Sequence, residues 1–278
     1  GLQDKVDEKK QLQELKKWKE FTEKNLGAKK EVTIGIAGKY TGLNDSYASI
    51  LKALEHAGTH LDAKVKIKFI ETTEIENGKK VEELLSGIQG LIVPGGFGSR
   101  GVEGKISCIK YARENNIPFL GICYGFQIAL IEFARNVCGL KNANTTEIDE
   151  KTPYPVIDIL PEQKKIEGLG GNMRLGEKEI DIKPKTLAQK LYNSTKAMER
   201  FRHRFECNPD FIKMFEEKGI VFSGKHPQYQ IMQILEYPKN NYFMGTQFHP
   251  EFTSRPLKPN PMFFGLVEAA LKNPAGKK

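Results

Sequence analysis

The stretch IPFLGICYGFQIALIEFARNVC, residues 117–138, decides how this chain folds. Its apolar start, 118–122, predicts a short buried strand, and the residues after the turn have the apolar period of an amphipathic helix. The turn reads Gly-Ile-Cys-Tyr-Gly and places Cys123 between Gly121 and Gly125. Glycines permit a sharp turn because they carry no Cβ. The stretch therefore predicts a strand–turn–helix unit with a cysteine at the turn.

Cys123 has the position that the serine occupies in the G-x-S-x-G nucleophile elbow. A helix is predicted directly after it, and the positive end of a helix dipole favours the thiolate, which is the reactive form of a cysteine. The alternative is a cysteine that only fills space in the core. The turn and the helix together favour a nucleophile that is exposed at the edge of a sheet.

Strand and helix patterns alternate through the first half of the chain, as they do in a doubly wound parallel sheet. In such sheets ligand sites lie at the carboxyl ends of the strands. Besides 118–122, strands that run into glycine-containing loops are expected within 31–40 and 90–98, a further strand at 65–70, and helices at 46–57, 79–85 and 103–115.

From about residue 152 the pattern changes to short runs that predict strands of mixed or antiparallel pairing. These runs are YPVIDIL, NMRLGEKEIDI, IMQILEY and YFMGTQF, with helices expected at 209–218 and 261–271. A highly charged helix is predicted over 3–26, ending at Gly27. We expect residues 273–278 to be frayed.

Charge and composition exclude several classes of protein. The net charge is +8, but it lies at the ends: residues 1–30 hold nine lysines against six acidic residues, and residues 255–278 hold five basic residues against one. The nearly neutral body argues against nucleic-acid binding. No apolar run is long enough to span a membrane, and the four cysteines show neither a pairing pattern nor metal-ligand spacing. These features predict a cytoplasmic protein with free thiols and no bound metal.

A cysteine nucleophile needs a base, and His249 is the best of the five histidines. It follows an apolar strand, 242–245, within GTQFHPEF. Glu251 lies two residues on, so in extended backbone its side chain points the same way and can orient the imidazole. The alternative is a strand-end histidine beside a solvated carboxylate. The other histidines are expected at the surface, and His203, between two arginines, is poorly placed to act as a base.

Acyl chemistry also needs two donors for an oxyanion. One is the backbone N–H of the residue after the nucleophile, here Tyr124. The other can come from the glycine-rich loop Pro-Gly-Gly-Phe-Gly, residues 94–98. A phosphate-binding loop is the rival interpretation, but neither of its glycine motifs is present. The residues alone therefore predict a Cys-His-Glu hydrolase that acts on an amide or ester carbonyl.

Three motifs occur in the order VPGGFG, GICYGFQ and FHPEF. With them the chain resembles the class I (triad) glutamine amidotransferases, and most closely the C-terminal glutaminase domains of the CTP synthase family. The resemblance covers about residues 15–272. The matching segments are 38–58, 93–106, 142–149 (NANTTEID), 170–176 (GGNMRLG), 200–209 (RFRHRFECNP) and 249–261 (HPEFTSRPLKPNP).

The resemblance implies a Rossmann-like (flavodoxin-like), mostly parallel sheet with flanking helices, and a role for each matching residue. It implies a triad of nucleophile, base and orienter, an oxyanion hole that includes the Gly96 N–H, a lid and a pocket for the amino-acid end of glutamine. By this resemblance Cys123 is the nucleophile, His249 the base and Glu251 the orienter. Gly96 and Tyr124 form the oxyanion hole, and Phe97 belongs to the lid. Gln127, Glu147 and Arg204 form the pocket for the amino-acid end of glutamine.

Proteins of this family hydrolyse glutamine to glutamate and ammonia through a γ-glutamyl thioester. The ammonia serves the ATP-dependent amination of UTP to CTP in a synthetase domain, where ATP, Mg²⁺ and UTP bind, and GTP is an allosteric activator. The resemblance thus implies that residues 1–30 are a linker helix to a synthetase domain absent from this chain, and that 31–272 form the amidotransferase domain. The full-length enzymes are homotetramers, whereas a fragment is expected to be monomeric and to bind no ATP.

Two departures from the family pattern are Tyr124 and Phe126, which stand where Leu and Met are usual. A backbone donor survives a change of side chain, so activity is still expected.

Two alternatives stay open. One is a glutaminase or γ-glutamyl hydrolase of another system, against which GGNMRLG and RHRFE argue. The other is a regulatory module without turnover, against which the complete triad argues.

Overall fold

The computed structural model describes residues 7–39, 44–160 and 173–273. The strands are β1 (Lys30–Gly38), β2 (Ala63–Glu71), β3 (Gly90–Val93), β4 (Phe119–Ile122), β5 (Ala143–Thr145), β6 (Tyr154–Asp158), β7 (Arg174–Ile182), β8 (Lys196–His203), β9 (Glu206–Cys207), β10 (Val221–Lys225), β11 (Met232–Glu236) and β12 (Phe243–Thr246). The α-helices are α1 (Glu8–Leu26), α2 (Ala48–His60), α3 (Thr72–Glu76), α4 (Val81–Leu84), α5 (Val102–Glu114), α6 (Tyr124–Asn136), α7 (Leu187–Tyr192), α8 (Ile212–Glu217) and α9 (Pro261–Lys272).

Nine strands form one central sheet in the order β2-β1-β3-β4-β12-β11-β10-β7-β8. From β2 to β12 all pairs are parallel, and we call these five strands the parallel half. Its short strands β3 and β4 are buried along their whole length, as parallel strands covered on both faces must be. The predicted α/β sheet with flanking helices is confirmed.

The other four strands, β11, β10, β7 and β8, are the antiparallel half, because each pair from β12 onward is antiparallel. The prediction of such pairing after residue 152 is confirmed, but β8, β10 and α7 were not foreseen from the sequence. In β8 the inward positions include Glu199 and His203 beside Phe201. Buried polar residues hide the apolar alternation that marks a strand, and this explains the omission of β8.

Two hydrophobic clusters sandwich the sheet. One contains Ile109 of α5, Ile128 of α6 and Phe215 of α8. The other contains Leu54 of α2 and Leu266 of α9, and also the Cys123 side chain. The sheet is therefore the middle of three layers, and its parallel strands are covered on both faces.

Helix α1 lies on the surface and has no buried residue. It begins after the capping residue Asp7, and the predicted start at residue 3 lies outside the described residues, as do 274–278 of the predicted frayed tail. Leu15 and Trp18 on its sparse apolar side are 58% and 47% exposed. None of the helices described is long and apolar enough to cross a membrane.

Candidate active site

Three neighbouring strands of the parallel half end at the same edge of the sheet. Strand β3 leads into the glycine loop, residues 94–98, β4 leads into Cys123, and β12 leads towards His249. The Cys123 N–H donates to the Thr246 carbonyl at 2.7 Å, so the elbow is attached to the end of β12. The carboxyl-end rule thus places the predicted catalytic residues together.

The backbone of Cys123 has φ 51° and ψ −97°, a conformation that residues with a side chain rarely adopt. The two neighbouring glycines make it feasible. A Cβ on Gly121 would lie 2.6 Å from the Gly125 carbonyl oxygen, and a Cβ on Gly125 would overlap the Val93 carbonyl. The result is a sharp strand-to-helix turn that presents Cys123 as the capping residue of α6.

The imidazole of His249 is oriented by Glu251, with 2.7 Å between Nδ1 and Oε1. The sequence-based reason for this contact was wrong, because residues 250–252 form a 3₁₀ turn rather than extended backbone. Pro250, at the start of that turn, favours its helical dihedral angles. The turn brings the carboxylate back beneath the ring, and Nε2 remains available for Cys123.

Several groups act on the pKa of His249. Burial lowers this pKa, but hydrogen bonds to Cys123 and Glu251 and electrostatic interactions with both side chains outweigh burial and raise the pKa to about 10. The imidazole is therefore held as the cation at neutral pH, next to the sulfur. A protonated imidazole in this place is suited to donating a proton to a leaving amine.

The glycine loop approaches the side chains of both Cys123 and His249. A Cβ on Gly95 would stand 2.9 Å from Cε1 of His249 and 3.7 Å from the Cβ of Cys123. A side chain at Gly95 would therefore displace the imidazole. The sequence identified the loop but not this reason for its first glycine.

The side chain of Tyr124 supports the loop from below. Its hydroxyl donates to the Gly98 carbonyl at 2.7 Å, and its Cδ1 would lie 3.7 Å from a Cβ on Gly96. The Gly98 N–H donates to Oε1 of Glu147 at 2.9 Å. Burial, followed by the charge of Glu147, raises the pKa of Tyr124, so its hydroxyl stays protonated as a donor. The departure from Leu at this position thus adds an anchor for the loop.

A cavity of about 510 Å³ opens in front of Cys123. Its walls include all the predicted substrate residues and the predicted nucleophile and base. The lining is Gly96, Phe97, Cys123, Gln127, Glu147, Met173, Arg202, His203, Arg204, Phe205 and His249. Cys123 is only 5% exposed, less than predicted, because it lies at the bottom of this cavity. A larger cavity, about 990 Å³, lies on the antiparallel half and contains none of the predicted residues.

The amide of Gln127 is fixed by two acceptors, the Phe205 carbonyl at 2.7 Å and Oε1 of Gln247 at 3.1 Å. Both bonds use its NH₂ group, which leaves its carbonyl oxygen for a donor such as an ammonium. Gln247 also approaches Sγ of Cys123, with Nε2 at 3.8 Å. Gln247 was missed, since a single polar residue in a strand end gives no distinctive signal.

His203 was expected at the surface, and this is wrong: it is 5% exposed and lines the cavity wall. Its Nε2 lies 2.8 Å from Oε1 of Glu206, which also binds Arg174. His203 is buried because it occupies an inward-facing position at the end of β8. Arg202 and Arg204, which flank it in the sequence, are exposed. Both arginines line the cavity, so the geometry admits either as a partner for a carboxylate.

No group of three or more His, Cys, Asp or Glu side chains within 7–39, 44–160 and 173–273 is arranged to hold a metal ion. The other three cysteines do not line the cavity. Burial raises the pKa of Cys108 to about 12 and that of Cys138 to about 11, and it raises the pKa of Cys207 as well. These three thiols are accordingly poor nucleophiles at neutral pH.

The fold and the site together define a class. The family described as glutamine amidotransferase class-I matches residues 43–269, which is most of the chain. This chain belongs to the class I glutamine amidotransferase family.

Its relatives within that family are CTP synthases. The chain is 54% identical over 264 residues to CTP synthase of Thermococcus kodakarensis, covering 95% of this chain and 49% of the relative. It is 51% identical over 260 residues to CTP synthase of Staphylococcus epidermidis, covering 93% and 48%. The chain thus spans about half the length of these relatives.

A solved structure agrees with this similarity. The glutaminase domain of Trypanosoma brucei CTPS, determined with bound acivicin, superimposes with a TM-score of 0.81 at 34% identity, covering 87% of this chain and 94% of that domain. The particular protein that this chain resembles throughout is the glutaminase domain of a CTP synthase.

Proposed function

We propose that this chain hydrolyses L-glutamine to glutamate and ammonia through Cys123, His249 and Glu251. The observation that carries the proposal is the strained turn at Cys123 facing an imidazole that Glu251 orients at 2.7 Å. A nucleophile, a base and an orienter in hydrogen-bonding sequence are the parts of an acyl-transfer triad.

In the first half-reaction Sγ of Cys123 attacks the γ-carbonyl carbon of glutamine. A carbon–sulfur bond forms, and the carbonyl electrons move onto the oxygen, which the backbone N–H groups of Gly96 and Tyr124 receive. When the tetrahedral intermediate collapses, the carbon–nitrogen bond breaks and the His249 imidazolium gives its proton to the leaving nitrogen. Ammonia and a γ-glutamyl thioester are the products.

In the second half-reaction His249, now neutral, takes a proton from water as the water oxygen attacks the thioester carbon. The carbon–sulfur bond breaks, glutamate leaves, and Cys123 and the imidazolium are restored. Glu251 stabilises the cation at each stage where it forms, without taking the proton itself.

Three residues are proposed to hold the amino-acid end of glutamine. The carboxylate of Glu147 and the free carbonyl oxygen of Gln127 suit the α-ammonium, and the guanidinium of Arg204 suits the α-carboxylate. Phe97, 68% exposed at the mouth of the cavity, is placed to act as a lid. Because the Gly98 N–H also donates to Glu147, ammonium binding and the glycine loop share one carboxylate.

We further infer that the ammonia serves the ATP-dependent amination of UTP to CTP. The support is the identity to CTP synthases, of which this chain covers about half. On this proposal ATP, Mg²⁺ and UTP bind to a synthetase domain of the same polypeptide, GTP activates, and the whole enzyme is a cytoplasmic homotetramer. Helix α1, with its exposed Leu15 and Trp18, is proposed as the linker to that domain.

The test is intact-mass spectrometry after incubation with acivicin, with and without excess glutamine. We expect one adduct, mapped to Cys123 and suppressed by glutamine, in parallel with ammonia release from glutamine by the same preparation. Cys138, half-buried, serves as an internal control that should remain unlabelled. An adduct that glutamine does not suppress, or one on another cysteine, would contradict the proposal.

A further inference from the structure

Helix α5 carries a buried lysine that the proposed reaction does not use. Lys105 is 2% exposed, which is rare for a lysine unless its ammonium is paired. No protein group within the described ranges 7–39, 44–160 and 173–273 forms a hydrogen bond or an ion pair with its ammonium, and Nζ keeps a small contact with solvent. Burying an ammonium without a paired acceptor destabilises the folded state, so the presence of Lys105 here suggests a functional role.

The Lys105 ammonium lies directly behind the glycine loop. Its Nζ would be 4.0 Å from a Cβ on Gly96, and it stands 5.1 Å from the ring centroid of Tyr124. Gly96 and Tyr124 are the two residues whose N–H groups are proposed to receive the oxyanion. Lys105 is not among the residues that line the cavity in front of Cys123.

Other charges surround Lys105 at longer range. Glu71 at the end of β2 and Glu76 at the end of α3 favour its cation, and Lys39 opposes it. Glu76 is already engaged, because the N–H groups of Gly101 and Glu103 donate to its carboxylate. Lys39 donates to the Phe97 carbonyl at 2.6 Å, so its charge too lies at the loop.

We propose that Lys105 is a positioning residue for glutamine hydrolysis, holding a buried positive charge behind Gly96 that stabilises the negative charge developing in front of it. The inference rests on the proposed function. A fixed charge beside Gly96 and Tyr124 acts on the proposed oxyanion through a medium that screens it poorly, and it needs no reorganisation during the reaction. The cation over the Tyr124 ring also holds that ring against the loop.

Burial has a second consequence, since it lowers the pKa of Lys105 to about 8. A lysine with a lowered pKa is charged below that pH and neutral above it. The electrostatic contribution of Lys105 is therefore nearly complete at pH 7, halved near pH 8 and lost progressively at higher pH.

The test compares Lys105→Met and Lys105→Arg with the unmodified chain in steady-state glutamine hydrolysis and in thermal unfolding. Met keeps the volume and removes the charge, so we expect kcat to fall about tenfold with KM little changed. Arg keeps the charge and should retain most of the activity. Because Met removes an unpaired buried charge, its melting temperature should equal or exceed that of the unmodified chain.

The pH profile separates an electrostatic role from a structural one. The ratio of the unmodified rate to the Lys105→Met rate should decline towards one above about pH 8, where the lysine is neutral. A Lys105→Met protein with unchanged kcat, or one whose deficit is the same at pH 7 and pH 9, would overturn the proposal. If the Met protein does not fold, Lys105→Gln is measured against the same criteria.

The controls keep this inference distinct from the proposed function. Ammonia release by the unmodified chain and its loss in Cys123→Ala establish the glutaminase. With those results in hand, an active Lys105→Met protein refutes the role of Lys105 alone. No ammonia from the unmodified chain would refute both proposals together.

Discussion

The parallel and antiparallel halves of the sheet contribute different things to one cavity. The parallel half supplies the residues proposed for the chemistry, Cys123, His249 and the glycine loop, from the ends of three adjacent strands. The antiparallel half supplies Arg202 and Arg204, from the end of β8. On the proposed function, the chemistry and the contact with the α-carboxylate of glutamine come from different halves of the sheet, whereas Gln127 on α6 and Glu147 after β5 are proposed for the α-ammonium.

The two halves meet because the antiparallel half curls back. Strand β8 is four positions away from β12 in the sheet, yet the His249 N–H donates to the Arg200 carbonyl at 2.8 Å. Sγ of Cys123 also lies 3.8 Å from the Arg202 carbonyl oxygen. A strongly twisted sheet can return its edge to its own centre in this way. If the division of labour is real, substitutions in the parallel half should lower kcat, and those at the end of β8 should raise KM.

The largest effect is expected at the centre of the parallel half. Cys123→Ala removes the atom that forms the thioester and should reduce ammonia release at least about 10³-fold, to background. Cys138→Ala, which changes a half-buried thiol away from the cavity, is the matched control and should retain activity. Measurable turnover by Cys123→Ala would mean that the elbow is not the reaction centre.

The next effect concerns the carboxylate behind His249. Glu251→Gln removes a charge that raises the pKa of His249, so this pKa should fall from about 10 towards neutrality. The imidazolium is then lost at lower pH, the alkaline limb of kcat shifts down, and the rate at pH 8 falls about 10²-fold. A pH–rate profile of both proteins decides this, and an unshifted alkaline limb would contradict the role of Glu251.

A smaller effect, on binding, is expected in the antiparallel half. Arg204→Ala should raise the KM for glutamine about 10- to 100-fold with a modest change in kcat, because a charged hydrogen bond to the α-carboxylate is lost. Arg202→Ala is the comparison, since both side chains line the cavity. If Arg202→Ala has the larger effect on KM, the assignment of the two arginines is reversed. If either lowers kcat alone, the division between the halves fails.

The smallest effect is predicted beneath the loop. Tyr124→Phe removes only the hydroxyl that donates to Gly98 at 2.7 Å. One neutral hydrogen bond supports a roughly 2- to 10-fold fall in kcat, without loss of the fold. Tyr111→Phe, a partly buried tyrosine on α5, controls for the general effect of removing a phenol. An equal loss in both variants would show that the Gly98 bond has no special part in catalysis.

The elbow and the ends of the parallel strands were predictable from local patterns, whereas in the wall opposite them only the family resemblance pointed to Glu147 and Arg204. Gly121, Cys123 and Gly125 signal the turn because its steric demands act between residues a few positions apart. The burial of His203 could not be predicted, because it depends on β8 returning to the cavity and on the contact with Glu206. The contact between His249 and Glu251 was expected for the wrong reason, since a 3₁₀ turn replaces the extended backbone.

The sequence by itself determined the alternation of strands and helices in the first half of the chain, the glycine loop and the sharp turn at Cys123, and it predicted the family. All of these depend on local dihedral preferences and on short-range periodicity. Only the tertiary structure decided that Tyr124 supports Gly98 and that Lys105 is buried behind Gly96. Burial and long-range contacts arise when distant segments pack together, and a side chain such as that of Lys105 acquires its electrostatic role only in that environment.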